Sequence, residues 1–312
     1  MTKINVLIDG IFFPVTACLE YLVRAFKKRD DCDVLTVGPY TGLNIPWGSS
    51  AGMVMPERYD FPPDIKLPFN GLYTRAPTKY IESQLKDFVP DLVLDVNAGF
   101  CLEGIPTHGV WATFLTDPHV LRSWYNIVKA NYNFVFCPQI PYANENEIYL
   151  PFAADSEWCT PIETEKLMDV TIIGNHYENR INLMKTEQIK GRRTRFDIGV
   201  AKADMQLAYS QSIIGVNWSS MQDLTARVFE VSCLGIVPVI NLVPDLNKLG
   251  FIDGKHFLGF TSQMEAELKI NLALNDPALA AEIGKTARQK ILTDHHTWDD
   301  RAQTILEVVG LL

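Results

Sequence analysis

The chain has 312 residues, 47% hydrophobic and 21% charged, the balance of a globular protein with room for two domains of roughly 150 residues each. That composition excludes disorder as the main state. The formal net charge of −9 argues against a general attraction to nucleic acid or to an anionic membrane surface.

In chain order, Ile4 to Ile8 is an apolar run closed by Asp9-Gly10 and reads as a buried strand and turn. Before it there is no n-region, long apolar run or cleavage site of a signal peptide. Thr16 to Lys28 sets Leu19, Leu22, Val23 and Phe26 on one helical face, and Asp33 to Val37 reads as the next strand. Strand, helix, strand is the opening of a parallel α/β sheet. Residues 41–75, with Pro46, Trp47, Pro56, Pro62, Pro63 and Pro68, show no period and read as a long loop.

The alternation then resumes. A helix is predicted over Tyr80 to Phe88, a strand over Leu92 to Val96, another over Val110 to Leu115, a helix over Leu121 to Ala130 and a strand over Phe134 to Cys137. Ile148 to Ala154 lead away from this unit. A second series has strands at Val170 to Ile173, Phe196 to Gly199, Ile213 to Val216, Val237 to Asn241 and Phe257 to Phe260. Its helices are Ala203 to Tyr209, Thr225 to Leu234 with Gly235 as left-handed cap, Met264 to Leu274, Ala278 to Leu292 and Asp299 to Val309. The expected fold is therefore α/β: two Rossmann-like domains joined near 151–168 and facing across a cleft. Ligands of such sheets bind at the carboxyl ends of strands.

The six cysteines, at 18, 32, 101, 137, 159 and 233, include no Cys-x-x-Cys pair, so zinc and thioredoxin chemistry have no support. They read as reduced core residues of a cytoplasmic protein. No run of about 18 apolar residues predicts a membrane span. Asp31 and Asp33 have the spacing of a metal motif but stand in a charged run, and a solvated turn is the better reading. No metal site is expected. The basic cluster Lys190, Arg192, Arg193 and Arg195 reads as a solvated loop. It leaves nucleic acid as a partner that is not favoured. No strand is followed by Gly-x-Gly-x-x-Gly, which counts against a dinucleotide oxidoreductase.

Near Asp223, Leu224 and Thr225 a helix should begin at a strand's carboxyl end. Its free backbone N–H groups and dipole suit a diphosphate. Arg227 and Glu230, three apart, share one helix face, where Arg227 can neutralise phosphate charge and Glu230 can accept from ribose hydroxyls. An ordinary intrahelical ion pair on a solvated surface is the competing reading. Gly174 after its strand lets backbone approach a ligand closely, and Arg180 can grip a diphosphate in a planar fork. The alternative there is a turn glycine and a surface arginine. Asp117 before Pro118 is a good helix start, with the aspartate as cap. His119 beside it can bond a hydroxyl or stabilise charge in a transition state.

Several of these stretches carry a family resemblance. Leu150-Pro151-Phe152-Ala153-Ala154-Asp155, Ile173-Gly174-Asn175 with Arg180, Asp223 to Glu230 with Cys233-Leu234-Gly235, and His296-Thr297-Trp298 with Arg301 together resemble the nucleotide-sugar glycosyltransferases of the GT-B fold, and in particular their spore-maturation CgeB-like group. The likeness covers 150–312 well. The N-terminal half joins it through Trp111 to His119 and Phe134 to Gln139. It implies an N-terminal acceptor-side domain over 1–150, a hinge over 151–168, a nucleotide-sugar-binding domain over 169–297 and a closing helix over 298–312.

The resemblance further implies sugar transfer from a nucleoside-diphosphate sugar, UDP-linked, to a hydroxyl, with retention and without metal. The nucleotide-sugar is a substrate and no cofactor is implied. Glu230 would hold the ribose, His119 would face the donor sugar, and Gly174, Asn175 and Arg180 would complete the donor site with Asp223, Leu224, Thr225 and Arg227. Gly10, Phe12 and Phe13 would shape the acceptor side. The acceptor is left open among saccharide, protein and a hydroxylated base in DNA. The wider family pattern is E-x(7)-E. Gln222 stands where its first glutamate would be, with Asp223 next to it, and either can substitute, by amide hydrogen bonds or as a shifted carboxylate. That departure motivates a competing reading, a non-catalytic nucleotide-sugar-binding protein.

Overall fold

The computed structural model describes residues 3–12, 17–43, 60–68, 76–98, 102–103, 108–198, 200, 202–219 and 221–312. They form two compact units. The first holds the described parts of Met1–Ile45 and Pro56–Pro151 together with Trp298–Leu312, and the second holds those of Phe152–Thr297.

The first unit runs β1 (Ile4–Asp9), α1 (Ala17–Lys27), β2 (Cys32–Pro39), β3 (Ile65–Leu67), β4 (Ala76–Pro77), α2 (Thr78–Gln84), β5 (Leu92–Val96), β6 (Leu102–Glu103), β7 (Val110–Phe114), α3 (Pro118–Val128), β8 (Phe134–Cys137) and β9 (Ile148–Tyr149). Seven strands make one sheet in the order β3-β2-β1-β5-β7-β8-β9. All its pairings are parallel. Its central strands are buried on both faces, so they read as unbroken apolar runs rather than alternating ones. On one face Leu7, Val37, Val93 and Trp111 form a core with Ile81 and Leu85 of the α2 region.

The second unit continues with β10 (Met168–Ile173), α4 (Glu178–Met184), α5 (Glu187–Lys190), β11 (Thr194–Asp197), α6 (Lys202–Ser210), β12 (Ser212–Asn217), α7 (Ala226–Cys233), β13 (Val237–Asn241), α8 (Pro244–Lys248), β14 (Leu258–Phe260), α9 (Gln263–Asn275) and α10 (Pro277–Thr293). Its parallel sheet has the order β11-β10-β12-β13-β14. Val170, Ile172, Ile214 and Val216 face α4, α5 and α9. The other parity faces α7: a Cβ on Gly215 would lie 2.6 Å from Val231 of that helix. The α/β class with two parallel sheets is thus the fold of the chain.

The last helix, α11 (Trp298–Val308), returns to the first unit and packs on α1. Trp298 is fully buried there, its ring 6.0 Å from Tyr21 and 5.8 Å from Phe114. Burying a side chain of that size contributes about 3 kcal/mol. Lys28 pairs with Asp299 at 3.3 Å at the edge of the same contact. Gly235 has φ +70° and closes α7 as the sequence predicted.

Three expectations are corrected. The stretch 41–75 is not all loop, because Ile65–Leu67 adds an edge strand beside β2, pinned by Asp64 accepting from the Thr36 backbone N–H and hydroxyl at 2.9 and 2.7 Å. Three residues flanked by prolines are too short to show a period. The helix predicted to Phe88 ends at Gln84, and Lys86 takes φ +53°. Ile148–Tyr149 does not lead away but pairs with β8 at the sheet edge.

Candidate functional site

In the second unit the chain winds from β10 outward to β11, then from β12 outward to β13 and β14. The strand order reverses between β10 and β12, and their carboxyl ends flank the crevice where ligands of such sheets bind. Two loops rise there, one after Ile173 and one after Asn217.

Gly174 opens the first loop with φ +152°, a conformation that side chains rarely adopt. A Cβ there would lie 2.7 Å from Arg180 Nη1. The glycine therefore makes room for that guanidinium. Arg180, on α4, is only 7% exposed, which overturns the surface-arginine alternative. Its Nε donates to the Trp218 carbonyl at 2.8 Å and its Nη1 to the Asn175 carbonyl at 3.1 Å, with its Cζ 5.1 Å from the Tyr177 ring centroid. Both acceptors are neutral carbonyls, and among the described residues no carboxylate forms an ion pair with it. Burial is the main influence and pushes its pKa down; the charge of Arg227 pushes the same way and the Asp223 carboxylate pushes the other way. A buried cation with no ion-paired carboxylate is costly, and an anionic ligand would offset that cost.

Arg227 and Glu230 form an ion pair at 2.8 Å, the i,i+3 pair that their spacing allows. The pair is not on a solvated surface, since the glutamate side chain is 5% exposed and the Arg227 Cζ lies 5.8 Å from the Tyr209 ring centroid. Thr225 occupies the N-cap of α7 in extended geometry, yet its side chain makes no cap bond and donates instead to Asn217 Oδ1 at 3.1 Å. The first turn of α7 thus lacks its side-chain cap, the arrangement that leaves backbone donors for an anion. Asp223 is buried and accepts from the Ser219 hydroxyl, while its own N–H donates to Ser219 Oγ at 3.0 Å. Its carboxylate holds the loop closed. Gln222 is exposed at φ +56°, and Leu224 packs in the core. Asn175 donates its amide to the Tyr177 hydroxyl at 3.2 Å.

In the first unit His119 sits in the first turn of α3, Nδ1 3.4 Å from the buried Gln139 Oε1, with the Tyr142 ring 5.7 Å away. Asp117 is at the N-cap but makes no side-chain cap bond. It accepts from the Thr116 hydroxyl at 2.8 Å, a correction of its expected capping role. Gly10 is explained by packing: a Cβ would meet Leu19 at 3.0 Å, and the Gly10 carbonyl approaches Gly38 so closely that a Cβ on Gly38 would be 2.0 Å away. Phe12 is buried and stacks on Phe61 at 6.1 Å, so its ring packs rather than faces solvent. Phe13 lies outside the described residues.

A feature the sequence reading missed stands at the crossover of the first sheet, between β1 and β5. Asp9 and Asp95 are register partners, both fully buried, and Asp95 also accepts from the Tyr132 hydroxyl. Burial first, then the neighbouring Asp95 charge, hold Asp9 well above the usual carboxyl range. The signal was present in the sequence: an aspartate inside or closing an otherwise apolar strand.

The basic cluster is largely neutralised in place. Arg193 pairs with Asp169 at 2.7 Å, Arg195 with Asp197, and Lys190 with Glu187 at 3.2 Å. Asp31 pairs with Arg29 at 2.7 Å and Asp33 with Lys3 at 3.0 Å. Among the described residues no group of three or more His, Cys, Asp or Glu is placed to hold a metal, and no helix is long and apolar enough to cross a membrane.

Residues 155–307 match the family model Glycosyl transferase-like. No curated protein sequence matches the chain. Solved structures share its architecture from end to end. An alpha-glucosyltransferase in complex with UDP and a 13-mer DNA containing a central A:G mismatch is 12% identical, covers 99% of this chain and 100% of its own, and superposes with a TM-score of 0.69. Alr3699/HepE from Anabaena, in complex with UDP and glucose, is 12% identical with a TM-score of 0.65, covering 99% and 100%. A UDP-N-acetylglucosamine 2-epimerase is 11% identical with a TM-score of 0.56, covering 100% and 98%. At such identities the likeness establishes the fold, two parallel-sheet domains of the GT-B kind.

Proposed function

We propose that the chain is a glycosyltransferase that moves a sugar from a UDP-linked donor to a hydroxyl acceptor. The observation that carries this reading is Arg180: a buried guanidinium at the sheet crossover, held by two carbonyls and a glycine that makes room for it, with no carboxylate partner among the described residues. A diphosphate supplies the missing charge. The glycosyl transferase-like match over 155–307, and the UDP in two solved structures of the same fold, support the donor class.

In the proposed reaction the acceptor oxygen bonds to the anomeric carbon as the bond from that carbon to the diphosphate breaks. The acceptor proton passes to the departing phosphate oxygen. Attack on the same face gives retention and needs no protein nucleophile. Arg180 and the first turn of α7 stabilise the leaving charge. Arg227 reaches the same charge while paired to Glu230, which orients it, and Glu230 holds the ribose. His119 is assigned to the donor sugar, where it bonds a hydroxyl. No metal is invoked, since the cations that offset the phosphate are side chains and helix N–H groups. Membership of the CgeB-like group, and work in the cytoplasm, rest on the sequence motifs and on the free state of the five described cysteines.

The test is a thermal-shift series with UDP, UDP-glucose and other nucleotide-sugars, with EDTA and then with Mg²⁺, followed by donor turnover. A metal-independent rise in melting temperature with UDP-sugars is expected by mass action. No shift with any nucleotide would sink the transferase reading. Binding without transfer or slow hydrolysis would favour the binding-protein reading, which the exposed Gln222 at the first-glutamate position motivates.

A further inference from the structure

Helix α9 (Gln263–Asn275) is apolar on two opposed sides. Inward it buries Ala266, Ile270 and Ala273 against the second sheet. Outward, Met264, Leu268 and Leu272 are 70%, 59% and 44% exposed. They stand at i, i+4 and i+8, so they form one continuous ridge. Among the described residues no other helix exposes large apolar side chains on three successive turns. The neighbouring α10 shows the ordinary pattern, with Glu282, Lys285 and Gln289 turned outward. A helix apolar on one side packs on one partner, and a second apolar side is the mark of a helix covered from both.

The charges beside the ridge indicate what covers it. Along one flank come Glu265 and then Lys269. Along the other come Glu267 and then Asn271, whose side-chain oxygen accepts from Arg192 at 3.2 Å. Each flank therefore runs from acidic near the start of the helix to basic toward its end. A parallel neighbour of the same kind would set like charge on like. An antiparallel copy, turned by a two-fold axis through Leu268, reverses the order. Leu268 then meets the partner's Leu268, and Met264 comes level with the partner's Leu272. Glu265 lies beside the partner's Lys269, and Glu267 beside the partner's Arg192, each pair occurring twice. Both cations are loosely engaged in the single chain: Lys269 is 3.5 Å from Asp253, and the Arg192 contact is to a neutral carboxamide. An anionic membrane surface would meet two glutamates instead.

We propose that the chain forms a two-fold homodimer through α9. Ridges at i±4 spacing fit into one another's grooves, and one patch facing its own copy closes the assembly at two chains. A pair of single helices covers less than the roughly 800 Å² per partner of a standard interface, so the association is concentration-dependent, with a dissociation constant in the micromolar range. It does not depend on sugar transfer.

The experiment follows the mass of the full-length protein by sedimentation equilibrium up to a concentration on the order of 100 µM, where a dimer of this strength is well populated. Leu268→Glu sets two carboxylates together at the axis and should weaken dimerisation at least about tenfold. Its circular dichroism and melting temperature should match the wild type's, because Leu268 is exposed. Glu265→Lys should weaken the dimer about threefold, and adding Lys269→Glu should restore it, since the pair is then reversed. Leu268→Cys should cross-link to its own copy under diamide faster than Leu207→Cys, an exposed apolar position on α6. A chain that stays monomeric throughout overturns the proposal. So does a dimer that Leu268→Glu leaves intact, or cross-linking no faster than at Leu207. Failure of the reversed pair to restore the dimer overturns the antiparallel arrangement. A monomer that floats with phosphatidylcholine vesicles, and loses this in Leu268→Glu, gives the ridge to a lipid surface and likewise overturns the dimer.

Discussion

The first sheet reverses its order between β1 and β5, where the buried carboxyls of Asp9 and Asp95 meet. The second reverses between β10 and β12, where buried Arg180 rests on two carbonyls. Similar winding thus carries opposite charge chemistry at equivalent points. At the first crossover the burial problem is met inside the chain, because burial and the neighbouring Asp95 charge raise the Asp9 carboxyl and favour its neutral form. At the second, two carbonyls hold the buried guanidinium and, among the described residues, no carboxylate forms an ion pair with it. The topology supplies a crevice in each case, and a handful of side chains sets its charge.

The largest expected effect tests whether α11 belongs structurally to the first unit. Trp298→Ala should cost on the order of 3–5 kcal/mol in urea unfolding, since the ring is fully buried against Tyr21 and Phe114. A loss under 1 kcal/mol would mean that the helix is only loosely attached.

The next effect tests the second crossover. Arg180→Ala should weaken UDP-glucose binding about 100-fold, on the order of 3 kcal/mol for a charge-assisted fork. Arg180→Lys should restore little, because an ammonium cannot reach two carbonyls and a phosphate in one plane. Unchanged affinity in the alanine variant would show that the buried charge is structural. Gly174→Ala should be milder, about 1–2 kcal/mol of stability, through the disallowed backbone and the clash with Nη1. Donor affinity should fall with it as the guanidinium is displaced.

The smallest effect sharpens the first crossover. Asp9 is raised in the folded state, so the fold binds a proton that the unfolded chain releases at the ordinary carboxyl value. Its contribution is therefore fully present below that value and is lost as pH rises through the raised folded one. Asp9→Asn keeps a donor toward Asp95 without the titration. Its stability should be flatter over that window than the wild type's, as read from unfolding midpoints across pH. An unaltered pH slope would put the proton elsewhere.

Much of the fold was legible in the residues. Leu92–Val96, Phe134–Cys137 and Val237–Asn241 are strands with the predicted bounds, because fully buried parallel strands are short apolar runs ended by turns. The brief edge strands of the first sheet, β3 and β9, and the helices α4, α5 and α8, all of seven residues or fewer, were not legible, since their length shows no period. Of the candidate site, the sequence singled out Gly174, Arg180, Arg227 and Glu230, and the structure sets Gly174 against Arg180 and pairs Arg227 with Glu230.

Composition, apolar periodicity and turn residues are local properties, and they alone determined that this chain is α/β with parallel sheets and where most elements lie. Tertiary structure decided which charges are compensated. Asp223 was buried against Ser219, Asp117 was bonded to Thr116 at the surface, and Phe12 was set into packing against Phe61. Arg180 was left buried on two carbonyls, and Asp9 was set beside an aspartate 86 positions away. Whether a charge is neutralised depends on what lies within a few ångströms in space, and separation along the chain carries no record of that.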